Sequence, residues 1–130
     1  MYRLNIIPAP ARALKAALVT IAVFLALSSV SFGQTGAEKG KKLFQEKACA
    51  ACHTIGGGKL AGPDLAGVSE RRETEWLKKW LKSPETMLMS DPIAKEMLGI
   101  YMIPMPNQGL TDEEIDALIE FFKSEDAAKK

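Results

Sequence analysis

The motif CAACH at residues 49–53 constrains this chain more than any other feature, because it contains both cysteines and the only histidine. Two thiols three positions apart can add to the two vinyl groups along one edge of a haem. The next residue, His53, then lies under the iron, where its imidazole is a strong axial ligand. The pattern therefore predicts covalent haem attachment through Cys49 and Cys52.

Three other uses of a cysteine pair are possible. A thiol–disulfide redox pair would need a βαβ context, which is missing here, and it would give His53 no role. A structural disulfide across two intervening residues would close a small loop and stabilise the chain little. A zinc site would need a fourth ligand, and the chain has no further Cys or His to supply one. Haem attachment is the interpretation that uses all three side chains.

Residues 1–33 are interpreted as a secretory signal peptide. They contain an uncharged, mostly apolar run at 16–30, small residues before a cleavage point ahead of Gln34, and a basic start made of Arg3, Arg12 and Lys15. An uncleaved membrane anchor is the alternative, although a spanning helix needs about 20 apolar residues and this run is shorter. Either interpretation places the domain at residues 34–130 outside the cytoplasm, and we expect it in the periplasm.

The charge of residues 34–130 excludes a strongly basic nucleic-acid binder. The chain has 17 basic and 16 acidic residues, and three of the basic ones lie in residues 1–33, which leaves 14 basic against 16 acidic. The remaining chain is also too short for a two-domain enzyme. A domain of this size buries only about 60–65% of its unfolded surface, so a cofactor would be a useful addition to its core.

The hydrophobic pattern predicts an all-α domain with almost no sheet. Helices are expected at 36–47, at 74–82, from the Asp91-Pro92 cap to about residue 100, and from Thr111, where Glu114 completes a capping box. The glycine-rich stretch at 54–68 is predicted to be a loop. Pro84 is expected to end the second helix, and the polar tail at 124–130 is expected to fray.

Four features in order resemble a small bacterial, exported, monohaem class I cytochrome c over nearly the whole of residues 34–130. They are Gly40 with Phe44, the CAACH motif, the segment Gly62-Pro63-Asp64-Leu65, and Met105-Pro106 just before Leu110-Thr111-Asp112-Glu113. Two departures are visible. Asp64 stands where Asn is commoner, and residues 83–103 are rich in methionine.

The resemblance implies the cytochrome c fold, with about four short helices packed around one covalently bound haem c. Carried over by position, Cys49 and Cys52 bond the haem, His53 is the proximal iron ligand and Met105 the distal one. The backbone carbonyl of Pro63 would accept a hydrogen bond from the other ring nitrogen of His53, which fixes the tautomer. The first helix would meet the last through Gly40, Phe44, Leu118 and Phe121.

Several side chains keep two interpretations. Met102, beside Tyr101, is a second candidate for the distal ligand, although packing suits it better, and Met97 is interpreted as core. Trp76 and Trp80 belong to the core, or one of them donates to a haem propionate. A group of lysines could either surround the haem edge and steer a partner or form a solvated helical face: Lys41, Lys42, Lys47, Lys59, Lys78 and Lys79.

The resemblance implies electron transport, as in a respiratory chain, rather than enzymatic catalysis. We expect a monomer that docks transiently with a redox donor and a redox acceptor, binds no nucleic acid, and contacts a membrane only if residues 1–33 are retained. Two alternatives stay open. The chain could be the haem subunit of a larger oxidoreductase, or a small-ligand sensor whose iron has an open position.

Overall fold

The structure, a computed structural model, describes residues 35–130, and these contain no β-strand. Their six α-helices are α1 Gly36–Glu46, α2 Val68–Arg71, α3 Thr74–Lys82, α4 Pro84–Ser90, α5 Pro92–Tyr101 and α6 Asp112–Ala127, with a short 3₁₀ helix at Cys49–Ala51. The all-α prediction is confirmed. The predicted signal peptide at 1–33 lies outside the described residues. No helix among the described residues is long and apolar enough to cross a membrane.

Capping boxes fix the starts of the two longest helices. At α6, the Glu114 backbone N–H donates to Thr111 Oγ1 at 3.2 Å, and the Thr111 N–H donates to the Glu114 carboxylate at 2.9 Å. Thr35 and Glu38 form the same arrangement at α1. Each box satisfies two backbone donors that a helix start leaves unpaired. The predicted start of the last helix is therefore confirmed.

The first and last helices cross in close contact at Gly40. A Cβ atom at this position would lie 2.0 Å from the Ala117 carbonyl oxygen and 2.7 Å from Phe121 Cβ, so only glycine allows this approach. One turn later, the Phe44 ring lies 5.8 Å from the Phe121 ring and 6.3 Å from the Phe122 ring, measured between centroids. The partners of Gly40 are thus Ala117 and Phe121, whereas Leu118, fully buried, belongs to the core beneath them.

Two short helices were not predicted. Pro84 does follow the end of α3, but it is also the first residue of α4, a position where its fixed φ and missing N–H cost nothing. Helix α2 is a single turn whose start is capped by Asp126, a residue of α6. The tail is also more ordered than predicted, because α6 continues to Ala127 and Asp126 is buried.

The core lies between α1, α3 and α6 and stops at one wall of a cavity. Six of the buried core side chains also line this cavity: Phe44, Val68, Leu77, Leu81, Leu118 and Phe122. Most of the rest of the lining comes from the CAACH motif and the loop that follows it to residue 66, and from α5 with the segment after it. The helical core therefore presents an apolar face to an open space rather than to another layer of protein.

Candidate functional site

The CAACH motif forms a tight turn at the edge of this cavity. Ala48 adopts a left-handed conformation with φ 56°, and the 3₁₀ helix that follows is closed by the Cys52 and His53 N–H groups, which donate to the Cys49 carbonyl at 3.1 and 3.0 Å. This turn brings Cys49, Cys52 and His53 into the lining of the cavity.

Both cysteines are free, half-buried thiols. Burial raises the pKa of the Cys49 thiol, whereas a thiol–disulfide exchange centre needs a lowered one. Among the described residues, no three His, Cys, Asp or Glu side chains gather as a metal site would require. The redox-pair and zinc interpretations therefore find no support in the geometry.

His53 is held by a single backbone oxygen. Its Nδ1 lies 2.9 Å from the Pro63 carbonyl oxygen, and because a carbonyl can only accept, Nδ1 carries the hydrogen. In the neutral ring the other nitrogen, Nε2, then carries the lone pair, which is the tautomer that a metal-binding histidine needs. The hydrogen bond therefore fixes the orientation of the ring and leaves Nε2 as the nitrogen that could bind a metal.

Gly62 makes this arrangement possible. A Cβ atom here would lie 2.5 Å from His53 Cε1 and 2.9 Å from Nδ1, inside the van der Waals contact distance. The Gly62 N–H also donates to the Cys52 carbonyl at 2.8 Å, which ties the Gly62-Pro63 segment back to the motif. The spacing between His53 and Pro63 therefore depends on a residue without a side chain.

The cavity has a volume of about 900 Å³, at the upper end of the range of about 300–1,000 Å³ for ligand and cofactor pockets. Its lining is mostly apolar and includes every residue predicted for the site: Cys49, Cys52, His53, Pro63 and Met105. A flat apolar cofactor with one polar edge suits such a space.

The two candidate methionine ligands are separated clearly by the fold. Met105 is half-buried, packs against the core and lines the cavity. Met102 is 78% exposed and forms the left-handed end of α5, with φ 59°. The expectation that packing suits Met102 is therefore wrong. Met97 is half-buried and lines the cavity rather than filling the core.

The two tryptophans stack along one side of the cavity, with ring centroids 5.6 Å apart. The Trp76 indole N–H donates to the Asp91 carboxylate at 3.2 Å, so this side chain joins α3 to the start of α5. Within residues 35–130, Trp80 donates to no other side chain. If one indole reaches a propionate, Trp80 is the available one.

The six lysines of the sequence analysis differ in their surroundings. Of the six, Lys59 alone lines the cavity, with its Nζ 4.9 Å from the centre of the Tyr101 ring. Three others pair with acidic side chains, in the pairs Lys42–Glu46, Lys47–Glu114 and Lys78–Asp116. Sequence reasoning could not locate the partners of Lys47 and Lys78, because Glu114 and Asp116 both lie far along the chain, on α6.

Sequence reasoning also missed two arginines at the cavity. Arg71 and Arg72 both line it, and the Arg72 guanidinium lies 5.5 Å from the centre of the Trp76 ring. A signal was present, since every other basic residue of 34–130 is a lysine. Arginine is the residue that suits both stacking on aromatic rings and forked recognition of carboxylates.

A model of the cytochrome c family matches residues 37–126. The chain belongs to the cytochrome c family. The structure of cytochrome c from Rhodothermus marinus is similar with a TM-score of 0.68 at 26% identity, over 77% of this chain and 88% of that one. The cytochrome c domain of a Pseudomonas putida protein is 38% identical with a TM-score of 0.61, over 68% of this chain and 88% of that one.

A curated relative is cytochrome c oxidase subunit 2 of Alkalihalophilus pseudofirmus, 28% identical over 100 residues. The match covers 70% of this chain, but the chain spans only about a quarter, 26%, of that relative. The likeness therefore concerns one part of the oxidase subunit.

Membership of the family means that this cytochrome c carries a covalently bound haem c with its iron. The cavity fits that group on its own chemistry. Its lining offers two free thiols, an imidazole whose Nδ1 is hydrogen-bonded to a backbone carbonyl, a thioether and an apolar surround. Haem-based electron transfer is the function that the family supports.

Proposed function

We propose that this cytochrome c is a periplasmic carrier of single electrons between redox partners, with His53 and Met105 as the axial ligands of its haem. The observation that carries the proposal is the 2.9 Å contact between His53 Nδ1 and the Pro63 carbonyl oxygen. It assigns the tautomer and leaves Nε2 for the iron. Met105 is the methionine that lines the same cavity, while Met102 projects into solvent.

When bound, haem c supplies an iron that cycles between Fe(III) and Fe(II). The chain's own contribution is to keep the structural rearrangement that accompanies this change small. The Pro63 carbonyl fixes the His53 ring, so the ligand need not rotate as the charge changes. A thioether ligand such as Met105 and the apolar wall both favour the less charged Fe(II) state and raise the reduction potential. If His53 and Met105 both bind the iron, no position is left for a substrate, as expected of a carrier rather than an enzyme.

The proposed location and partners follow from the sequence. A cleaved leader at residues 1–33 would deliver the domain to the periplasm, where thioether bonds to haem are made in bacteria. We propose a monomer that meets a redox donor and a redox acceptor in turn, with membrane contact only if the leader is retained. Because three lysines are paired with acids, strong electrostatic steering by a lysine ring is not part of this proposal.

Replacing each methionine in turn tests the ligand assignment. Met105→Ala should abolish the iron–thioether charge-transfer band of the oxidised protein, lower the reduction potential and allow carbon monoxide to bind the reduced iron. Met102→Ala is the matched control and should keep all three properties of the wild type, since its side chain is exposed. Visible spectra, potentiometry and a carbon monoxide titration of the three proteins provide the measurements.

The reverse pattern would move the ligand to Met102. Carbon monoxide binding by the wild type itself would favour a sensor with an open iron position.

A second candidate function is that of a haem subunit within a larger oxidoreductase. The observation that favours it is the similarity to part of cytochrome c oxidase subunit 2. Affinity purification of the natively expressed chain under mild conditions distinguishes the two. A stable, stoichiometric complex with a catalytic subunit would support this candidate, and recovery as a free monomer would support the carrier.

A further inference from the structure

Asp64 follows directly after Pro63, the residue whose carbonyl holds His53, and its carboxylate accepts three backbone hydrogen bonds. The Gly56 and Ala66 N–H groups donate to Oδ1 at 2.7 and 2.9 Å, and the Gly58 N–H donates to Oδ2 at 2.6 Å. One side chain therefore joins the 56–58 loop to the 64–66 segment, and both lie next to the site of the proximal ligand.

We propose that Asp64 is a positioning residue for His53 and a determinant of the reduction potential. It acts through Pro63, since it fixes the backbone on the C-terminal side of the Pro63 carbonyl. It also places a negative charge in the lining of the haem cavity. This inference rests on the proposed function only in taking His53 as the proximal ligand, and it does not depend on the identity of the distal one.

Asparagine could not do the same at this position. Its single amide oxygen could keep the bonds from Gly56 and Ala66, but its NH₂ group would then face the Gly58 N–H, donor against donor. The Gly58 N–H therefore requires a carboxylate oxygen as its acceptor. This requirement accounts for Asp at position 64, where related sequences more often have Asn. Hydrogen bonds from Ala66, Gly56 and Gly58 hold the pKa of Asp64 well below its ordinary value, so the carboxylate stays ionised.

The neighbouring contacts stiffen the same segment. The Arg71 guanidinium donates to the Asp64 carbonyl at 3.1 Å and also to the Ala66 carbonyl, and the Leu65 N–H donates to the Thr54 carbonyl at 2.8 Å. Thr54 directly follows His53. With its side chain and its flanking backbone both tied, residue 64 has little freedom to shift Pro63 away from the imidazole.

The negative charge of Asp64 should change the reduction potential in a definite direction. A carboxylate near the iron stabilises Fe(III), which carries one more positive charge than Fe(II), and so lowers the reduction potential. Removing the charge should therefore raise the potential, while removing a hydrogen bond should disturb the proximal ligand.

The test compares Asp64→Asn, Asp64→Glu and Glu113→Gln in the haem-loaded protein. Glu113→Gln removes the same charge from the exposed start of α6, where solvent screens it. The readouts are the midpoint potential and the hyperfine-shifted proton resonances of the His53 ring in the oxidised state. We expect Asp64→Asn to raise the potential well beyond any shift in Glu113→Gln and to move the His53 resonances.

Asp64→Glu keeps the charge but cannot keep all three bonds in place, so it should move the His53 resonances while its potential stays closer to that of the wild type. Equal potentials in Asp64→Asn and Glu113→Gln, with unchanged His53 resonances, would overturn the inference. If Asp64→Asn holds no haem, Asp64→Glu decides: altered His53 resonances support the inference and wild-type ones contradict it. A wild type without histidine ligation would instead contradict the proposed function.

Discussion

The two sides of the haem cavity are built on different physical principles. The proximal segment, residues 52–72, is organised by hydrogen bonds, from the Gly62 N–H to Cys52 and from three backbone amides to Asp64. The distal segment, residues 92–110, exposes apolar side chains instead, with Ile100 at 55%, Met102 at 78% and Ile103 at 57% exposure. A directional imidazole needs a fixed backbone acceptor, whereas a thioether needs only a place in an apolar wall.

The proximal side should therefore tolerate substitution less than the distal side. Hydrogen bonds weaken as the donor and the acceptor move apart or out of line. Pro104 and Pro106 flank Met105 and restrict the distal chain through their own fixed φ angles and those of the residues before them. Local stiffness of this kind does not depend on contacts elsewhere in the fold.

The largest expected effect comes from Gly62→Ala. The new Cβ would lie 2.5 Å from His53 Cε1, so either the ring or the Pro63 segment must move, at a cost of about 1–3 kcal/mol or more. We expect a lower melting temperature and altered His53 resonances in the oxidised haem protein. Thermal denaturation followed by absorbance, together with proton NMR, provides the measurement.

Gly99→Ala is the matched control on the distal side. A Cβ at Gly99 meets nothing within 4 Å, and within helix α5 alanine is favoured over glycine by about 1 kcal/mol. This variant should melt at or above the wild-type temperature with unchanged ligand spectra. Equal melting temperatures for Gly62→Ala and Gly99→Ala would contradict the expected difference in tolerance between the two sides.

Distance along the sequence separates the features that could be predicted from those that could not. The capping box at Thr111 and the start of α5 at Asp91-Pro92 depend on residues within four positions, and both are as predicted. Helix α2 was missed because its cap, Asp126, lies 57 to 59 positions away in sequence. No local pattern reveals such a partner.

The site followed the same rule. The motif residues and Pro63 line one cavity as predicted, because each belongs to a short contiguous motif. The pairing of Lys47 with Glu114 and of Lys78 with Asp116 depends on how helices pack, so the lysine ring could not be judged from sequence. The exposure of Met102 depends on the left-handed turn that ends α5.

An intermediate effect is expected from Asp126→Asn, which weakens the connection between α6 and the proximal segment. The buried carboxylate accepts from the Gly67 N–H at 2.5 Å, and from the Ser69 N–H and hydroxyl at 3.0 and 2.6 Å. The amide cannot accept all three, and loss of a charged hydrogen bond costs about 1.5–3 kcal/mol. Denaturant unfolding at neutral pH should show this loss, while Glu125→Gln on the same helix should show little.

The loss of stability in Asp126→Asn should become smaller as the pH falls. Burial raises the pKa of Asp126, but the hydrogen bonds from Ser69 and Gly67 outweigh it and leave the pKa below its ordinary value. A lowered folded-state pKa stabilises the protein above the unfolded value of about 3.9, and this contribution disappears as pH falls through the folded one. The difference in unfolding free energy between wild type and Asp126→Asn should therefore be constant at neutral pH and shrink below about pH 4. A difference that grows with acid would show that Asp126 is protonated in the folded protein.

The smallest expected effect lies on the distal side, at Met102→Gly. Met102 ends α5 with φ 59°, a left-handed conformation that costs a residue with a Cβ about 1–2 kcal/mol and that glycine adopts freely. Because the side chain is 78% exposed, its removal sacrifices little packing, and part of the gain is offset by the greater freedom of glycine in the unfolded chain. We expect stability to rise by roughly 0.5–1 kcal/mol in denaturant unfolding. The iron–thioether band should be unchanged, since Met105 is retained. A destabilised variant that loses the band would mean that the distal segment depends on Met102, and the contrast between a hydrogen-bonded proximal side and a tolerant distal side would fail at this residue.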